Sequence, residues 1–166
     1  MIEYAVETLT PELIKETESA QQGYWKECAR PFLNFPVDVD WPTYITAQKM
    51  SMLRVIVARE SGQMAGAAFE IIAPDPHFAC ITASLPMLYL KPEHRKGYAG
   101  VRLIKLAEQY AVEGGAQELM THGGIHNDVS RLFENMGYFD WGRYFVKNLK
   151  GSSPYPVFKR GIQCHS

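Results

Sequence analysis

Basic residues and glycines are concentrated in one short stretch of the sequence, Lys91–Gly100, which reads KPEHRKGYAG. Glycine lets a backbone come close to a ligand, and Arg95 and Lys96 bring positive charge to the same loop. Backbone N–H groups next to a guanidinium and an ammonium are the donors that suit phosphate oxygens. The stretch therefore predicts a pyrophosphate-binding loop, although a solvated basic turn would have the same composition.

The pattern of apolar residues predicts the elements on either side of this loop. Ile81–Leu90 is an apolar run of the kind found in buried strands. After Val101 the apolar residues recur at helical spacing, at Leu103, Ile104, Leu106, Ala107, Tyr110 and Ala111. A helix that begins directly after the loop points its unpaired N–H groups and the positive end of its dipole toward a bound anion.

Strand, loop and helix together resemble the central motif of the GNAT superfamily of N-acetyltransferases, a strand ending in V-x-P-E-x-R-x-x-G-x-G. Pro92, Glu93, Arg95 and Gly100 match this motif without a gap, while Tyr98 replaces its first glycine. Loops that keep the arginine and only the last glycine resemble those of phage and prophage acetyltransferases. Neither a G-x-x-x-x-G-K-[ST] motif nor a G-x-G-x-x-G motif with its acidic residue is present.

A one-residue gap would instead use Gly97 and Ala99 and put His94 at the arginine position. The ungapped alignment is preferred because it also matches Leu103 and Ile104 to the apolar pair of the family helix. The resemblance implies acetyl-CoA as the acyl donor, held by strand and loop residues: Leu88, Tyr89, Leu90, Arg95, Lys96, Gly97, Tyr98, Ala99, Gly100 and Val101.

The C-terminal third resembles the second motif of the superfamily, N-x-x-A-x-x-x-Y-x-x-x-G-F. Gly137 and Tyr138 match its closing pair, and His126-Asn127 lie within one residue of its asparagine. The resemblance then covers roughly residues 52–149. It implies an α+β fold with a mixed, largely antiparallel central sheet flanked by helices.

Acetyl transfer to an amine needs a neutral nucleophile, a polarised thioester carbonyl and a proton for the leaving thiolate. The resemblance implies that backbone N–H groups near Pro86 and Met87–Leu90 polarise the carbonyl, where a bulge splays the strand from its neighbour. The usual proton-donor position of the family holds Phe133, and the frequent base position holds Leu85. Other groups must then carry any proton transfer, and the candidates are His122, Glu70 and Tyr144, followed by His77.

Each catalytic candidate also has a structural interpretation. His122 follows the short strand that is expected to splay, and an unperturbed imidazole titrates near about pH 6.5, but it could equally be a loop histidine bonded to backbone. Glu70 could be a surface carboxylate, and only burial would raise its pKa into a useful range. Tyr144 could be a core or cleft-wall residue.

Composition limits the remaining classes of function. A length of 166 residues suits one domain, which we predict at residues 1–149 with a tail at residues 150–166. The net charge of −1 creates no global attraction to nucleic acid or membrane. The three cysteines are scattered, which favours cytosolic thiols, and the N-terminus lacks a signal-peptide pattern, so we predict a cytoplasmic protein, in the host cytoplasm if phage-encoded. His122 and His126 are separated by glycines, so no metal site is predicted.

Local patterns predict the other elements of the chain. A Thr10-Pro11-Glu12 start predicts a helix to about Gly23. The aromatic and proline-rich stretch Tyr24–Pro42 after it predicts irregular structure or short helical turns, which could be a loop that seals the core or an acceptor-binding lid. The further predictions are a first strand at 1–9, a hairpin of strands 53–59 and 64–72, a short strand at 118–121, a helix at 128–136 and a last strand at 138–149.

Three functions compete at this point. The first is an acetyl-CoA-dependent N-acetyltransferase whose amine acceptor, a small molecule or a protein, the sequence does not identify. The second is a non-catalytic CoA-binding or structural protein on the same fold, favoured by Phe133 and Leu85. The third is a nucleic-acid-directed protein using Lys91–Lys96 and Lys159-Arg160, which the net charge disfavours. A homodimer is left open.

Overall fold

A computed structural model describes residues 1–28, 39–123 and 129–142 of the chain. Five strands and four helices are found in these ranges. In chain order they are β1 (Ile2–Glu7), α1 (Pro11–Cys28), α2 (Trp41–Lys49), β2 (Leu53–Glu60), β3 (Gln63–Asp75), β4 (Cys80–Leu90), α3 (Ala99–Glu113), β5 (Glu118–Met120) and α4 (Ser130–Asn135). No described helix is both long and apolar enough to cross a bilayer.

The strands form a single sheet in the order β1-β2-β3-β4-β5. Neighbours from β1 to β4 are antiparallel, and β5 runs parallel to β4. The β2–β3 hairpin turns at Ser61 and Gly62, whose φ angles of 50° and 79° are those of a tight turn that suits the sheet twist. The predicted α+β fold with a largely antiparallel sheet is confirmed.

Helices cover both faces of this sheet, because side chains alternate along each strand. One face packs against α1 and α2 through Leu13, Val55, Val57 and Phe69, with Trp41 at its margin. The opposite face packs against α3 through Ile56, Ala68, Leu85, Leu103 and Ala107. Gly114 allows the end of α3 to lie on the sheet, since a Cβ there would meet Ile72 at 2.8 Å.

A bulge interrupts the ladder between β3 and β4. Phe69 pairs with Met87, but Ile71 pairs with Ser84, so the single residue Glu70 faces two residues of β4. The parallel pairing of β4 with β5 also ends at Ser84. Beyond Ser84, therefore, the β5-side edge of β4 has no strand beside it in the described part of the chain.

The structure differs from two sequence predictions. The stretch Tyr24–Pro42 was predicted to be irregular or to form short helical turns, but α1 continues past Gly23 to Cys28 and α2 begins at Trp41, with residues 29–38 outside the described ranges. Asp40 caps α2 by accepting a hydrogen bond from the Thr43 N–H at 3.1 Å, and Pro42 is tolerated because it lies in the first turn.

The second difference is at the start of the predicted last strand. The described part of it, residues 138–142, is not a strand, and residues 143–149 lie outside the described ranges, so a strand there stays a prediction. Alternation alone could not reveal this, since alternation says nothing about whether a partner strand is available to pair.

Candidate active site

A cleft opens where β5 separates from β4. It encloses about 100 Å³. Its walls come from β4, from the chain after β5, and from α1, α3 and α4, through Tyr24, Leu85, Pro86, Leu88, Ile104, Thr121, His122, Gly123, Val129, Leu132 and Phe133. The cleft is largely apolar, with a few polar groups, as small-molecule sites commonly are.

The open edge of β4 presents backbone groups to this cleft. The Lys91 N–H donates to the Ala65 carbonyl at 2.8 Å, and antiparallel strands bond their neighbour at alternate residues. Tyr89 therefore bonds to β3, whereas the N–H and C=O groups of Leu88 and Leu90 point toward the open edge. Of these three predicted cofactor contacts, Leu88 and Leu90 present backbone groups at the open edge of β4. The backbone of Tyr89 is bonded to β3, and its side chain lies on the α1 face of the sheet.

The basic loop follows directly. A single 3₁₀ turn at Pro92–His94 leads to Gly97, whose φ of 64° is one that glycine adopts most readily. Tyr98 caps α3 and is 83 % exposed. The N–H groups of Ala99, Gly100 and Val101 have no acceptor within the helix, and a Cβ on Gly100 would meet no atom within 4 Å. The start of α3 thus offers donors to open space.

Arg95 lies along β4 at the root of this loop. Its Nε donates to the Leu90 carbonyl at 2.7 Å, and its Nη2 lies 2.7 Å from the Glu27 carboxylate on α1. The guanidinium carbon also lies 5.4 Å from the centroid of the Tyr89 ring. His94 turns instead toward β2, where its Nδ1 is 3.1 Å from Glu60. Arg95 rather than His94 is the residue that joins loop, strand and helix.

His122 lies in the cleft, on the short segment after β5. Leu85 and Phe133, the residues at the usual base and acid positions, line the same cleft. The positions at which the resemblance implies a base and an acid therefore line the same cleft, and the residues at these positions are apolar. Among the predicted catalytic residues that the structure describes, His122 is the one that lines this wall.

Glu70 lies behind the cleft wall rather than in it. Its side chain is entirely buried on the α3 face of the sheet, and neither carboxylate oxygen has a hydrogen-bond partner in the described part of the chain. Burial raises the pKa of this carboxyl to about 7, against a smaller lowering by Arg54. Arg54 pairs across the strands with Glu70, but its guanidinium donates to the carbonyls of Ser51 and Leu53.

Tyr138 was predicted only as the aromatic residue of a closing motif, and the structure adds it to the surroundings of Glu70. Its ring packs against Phe133 with centroids 5.1 Å apart, and its hydroxyl is buried. Burial, and then the nearby carboxylates of Glu108 and Glu70, raise the pKa of this phenol well above its usual range. Glu70, Glu108 and Tyr138 thus form a group of polar residues behind the cleft wall, the buried polar group, and Phe133 of the cleft contacts its Tyr138. No sequence spacing signals this group, because its three residues come from distant segments.

His77, the remaining catalytic candidate that the structure describes, is not brought to the cleft. His77 lies between β3 and β4, where its backbone N–H donates to Asp75 Oδ1 at 2.7 Å. Tyr144 lies outside the described residues, as do His126 and Asn127.

Solved structures of similar fold are acetyltransferases. A ribosomal-protein-alanine N-acetyltransferase from Brucella melitensis biovar Abortus 2308 is 18% identical, with 89% of this chain and 99% of that one covered and a TM-score of 0.65. An aminoglycoside acetyltransferase from an uncultured soil metagenomic sample is 12% identical, with 90% and 99% covered and a TM-score of 0.69. AAC(6')-Iy in complex with a CoA-containing bisubstrate analog is 14% identical, with 89% and 97% covered and a TM-score of 0.68.

These likenesses concern the fold alone, because the identities are low. A search of the curated proteins finds no match to the chain in sequence. The model of the acetyltransferase (GNAT) family, however, matches residues 16–138, which include the basic loop, the cleft and the buried polar group. The chain belongs to the GNAT family of acetyltransferases.

Proposed function

We propose that this protein is an acetyl-CoA-dependent N-acetyltransferase that moves an acetyl group to an amine. The observation that carries the proposal is the continuity of the open β4 edge with the free N–H groups at the start of α3. A ligand with an amide-containing arm and a pyrophosphate would pair with both at once.

The residues for the cofactor follow from this geometry. Backbone groups of Leu88 and Leu90 would hold the arm, and the N–H groups from Ala99 to Val101 would hold the pyrophosphate, with charge from Arg95 and Lys96. Open space beyond Gly100 leaves room for phosphate oxygens. Gly97 and Tyr98 would shape the loop, and Tyr89 would support Arg95.

Acetyl-CoA supplies the acetyl group as a thioester, so that a C–N bond forms, the C–S bond breaks and CoA leaves as a thiol. We assign His122 as the general base that removes the proton of the attacking amine, because it lines the cleft. Backbone N–H groups on the open β4 edge would polarise the carbonyl. Leu85 and Phe133 would keep water from the thioester.

Glu70 and Tyr144 are the alternatives for proton transfer. The burial and raised pKa of Glu70 suit a proton carrier, but it would need an intermediate group to reach the cleft. Tyr144 lies outside the described residues and remains a candidate from the sequence.

The experiment is a binding measurement followed by a turnover measurement. Calorimetry with CoA should give a saturable signal, and release of free thiol from acetyl-CoA should rise when an acceptor is added. The acceptor panel should include an aminoglycoside and a peptide with an N-terminal alanine, since relatives of similar fold bear those names. Absence of CoA binding at millimolar concentration would refute the proposal.

Leu85 and Phe133 in the cleft favour a second candidate, a CoA-binding protein without catalysis. It predicts saturable CoA binding and no acceptor-dependent thiol release at any pH. The two candidates therefore differ in turnover and agree in binding.

A further inference from the structure

The last part of α1 is fastened to β4 through aromatic and charged contacts. The Tyr24 ring meets the Tyr89 ring edge-on, with centroids 5.9 Å apart, and the Tyr24 hydroxyl lies 3.4 Å from the Pro86 carbonyl. Gly23 makes this approach possible, because a Cβ there would lie 2.2 Å from the Tyr89 hydroxyl. The helix and the strand are therefore in close contact beside the cleft.

Arg95 extends this contact to the basic loop. Its guanidinium lies over the Tyr89 ring, which also contacts Tyr24, and it binds the Glu27 carboxylate at 2.7 Å. Tyr24 and Glu27 are three residues apart on α1, so they lie on one face of the helix. One helix face thus carries a residue of the cleft wall and a carboxylate that holds the cation of the loop.

The guanidinium can serve two anions at once. Arginine has five N–H donors, of which Nε is used by the Leu90 carbonyl and one at Nη2 by Glu27. The remaining donors are at Nη1 and Nη2, and the side chain of Arg95 is 37% exposed. A phosphate could bind there without displacing Glu27, and the negative charge of Glu27 would keep the guanidinium in position.

We propose that Glu27 is a positioning residue that couples the basic loop to α1, so that CoA binding at Arg95 stabilises α1 and the position of Tyr24 in the cleft wall. This inference rests on the proposed function, since it requires CoA at the loop.

The test compares Glu27→Gln with Glu16→Gln, using CoA as the probe. Glu16 is a matched control, because it lies on the same helix and binds an arginine, Arg59 at 2.7 Å, that is not part of the loop. Hydrogen–deuterium exchange of the α1 peptide is measured with and without saturating CoA. We expect CoA to slow the amide exchange of α1 in the wild type and in Glu16→Gln. In Glu27→Gln, CoA should no longer slow it.

Calorimetry gives the second readout. CoA should bind about two- to fivefold more weakly to Glu27→Gln, as suits a partly exposed ion pair, and as before to Glu16→Gln. Equal protection of α1 in both variants, or tighter CoA binding to Glu27→Gln, would overturn the coupling. Tighter binding would mean that Glu27 competes with phosphate for Arg95. Lack of CoA binding by the wild type would instead reject the proposed function.

Discussion

The two ends of the cleft are built differently. At the loop end, the donors are backbone N–H groups at the start of α3 and along the open edge of β4, and Arg95 is anchored beside them by three contacts. At the wall end, the positions expected to carry acid and base hold Phe133 and Leu85, and a polar group is buried behind the wall.

This difference teaches that binding and chemistry have separate requirements in this chain. A phosphate site made of backbone needs only a glycine-containing loop and a helix start, so side chains can vary around it. Proton transfer needs one particular side chain at one point, and of the catalytic candidates predicted from the sequence, His122 is the described one that lines the cleft. Substitutions at the two ends should therefore separate binding from turnover.

The sharpest separation is expected at the wall end. His122→Ala should lower kcat by about 10²–10⁴-fold, the usual contribution of general acid–base catalysis, with the KM for acetyl-CoA little changed. Steady-state thiol release over a range of pH would measure both, and the variant should also lose any limb of the profile near neutrality. His77→Ala, a histidine in the β3–β4 connection, is the control. A variant with unaltered kcat would assign His122 a structural role and move the search to Glu70 and Tyr144.

The loop end should respond in the opposite way. Gly100→Val should weaken CoA binding by about a hundredfold and leave the melting temperature unchanged, because its side chain would enter open space in front of the helix N–H groups. Calorimetry and thermal unfolding check the two halves, and Gly100→Ala should lie between. Normal CoA binding by the valine variant would place the pyrophosphate elsewhere.

Arg95→Ala should give a smaller loss at the same end. We expect CoA binding to weaken by roughly 1–3 kcal/mol, the range for hydrogen bonds to charged groups. Lys105→Ala removes one positive charge further along α3 and controls for general electrostatics. If Arg95→Ala bound CoA as the wild type does, the ungapped alignment of the loop would be rejected and His94→Ala would be the next variant.

The smallest effect concerns the buried group behind the wall. The pKa of Glu70 is raised to about 7 in the folded chain, so the folded state holds a proton that the unfolded chain releases near its ordinary pKa. Stability should then fall as pH rises from about 4.5 to 7 and stay low above it. Glu70→Gln should flatten this dependence and be more stable at pH 8 by on the order of 2 kcal/mol.

Denaturant unfolding at pH 5 and pH 8 measures this difference. Glu3→Gln, on an exposed strand position, controls for the loss of one carboxylate. A pH dependence that is the same in the wild type and in Glu70→Gln would show that Glu70 stays charged in the fold.

The amino-acid sequence by itself determined β4, α3 and the basic loop between them. A strand, a basic glycine-containing turn and a helix are local features, so periodicity, glycine and charge at residues 81–113 were enough to predict β4 and α3. The order of elements and two motifs were enough for the fold class. The capping of α2 by Asp40 is also local, but aromatic residues and prolines around it led to the interpretation of this stretch as a core-sealing loop or an acceptor-binding lid.

Only the tertiary structure decided the surroundings of each polar side chain. Burial of Glu70 depends on the bulge opposite Leu85 and Pro86 and on α3 above it, which are contributed by distant segments. The ion pair of Arg95 with Glu27 joins residues that are 68 positions apart in the sequence. Pairings at such separations leave no periodic trace in a single sequence, because they are fixed by how helices pack on the sheet and not by local backbone preference.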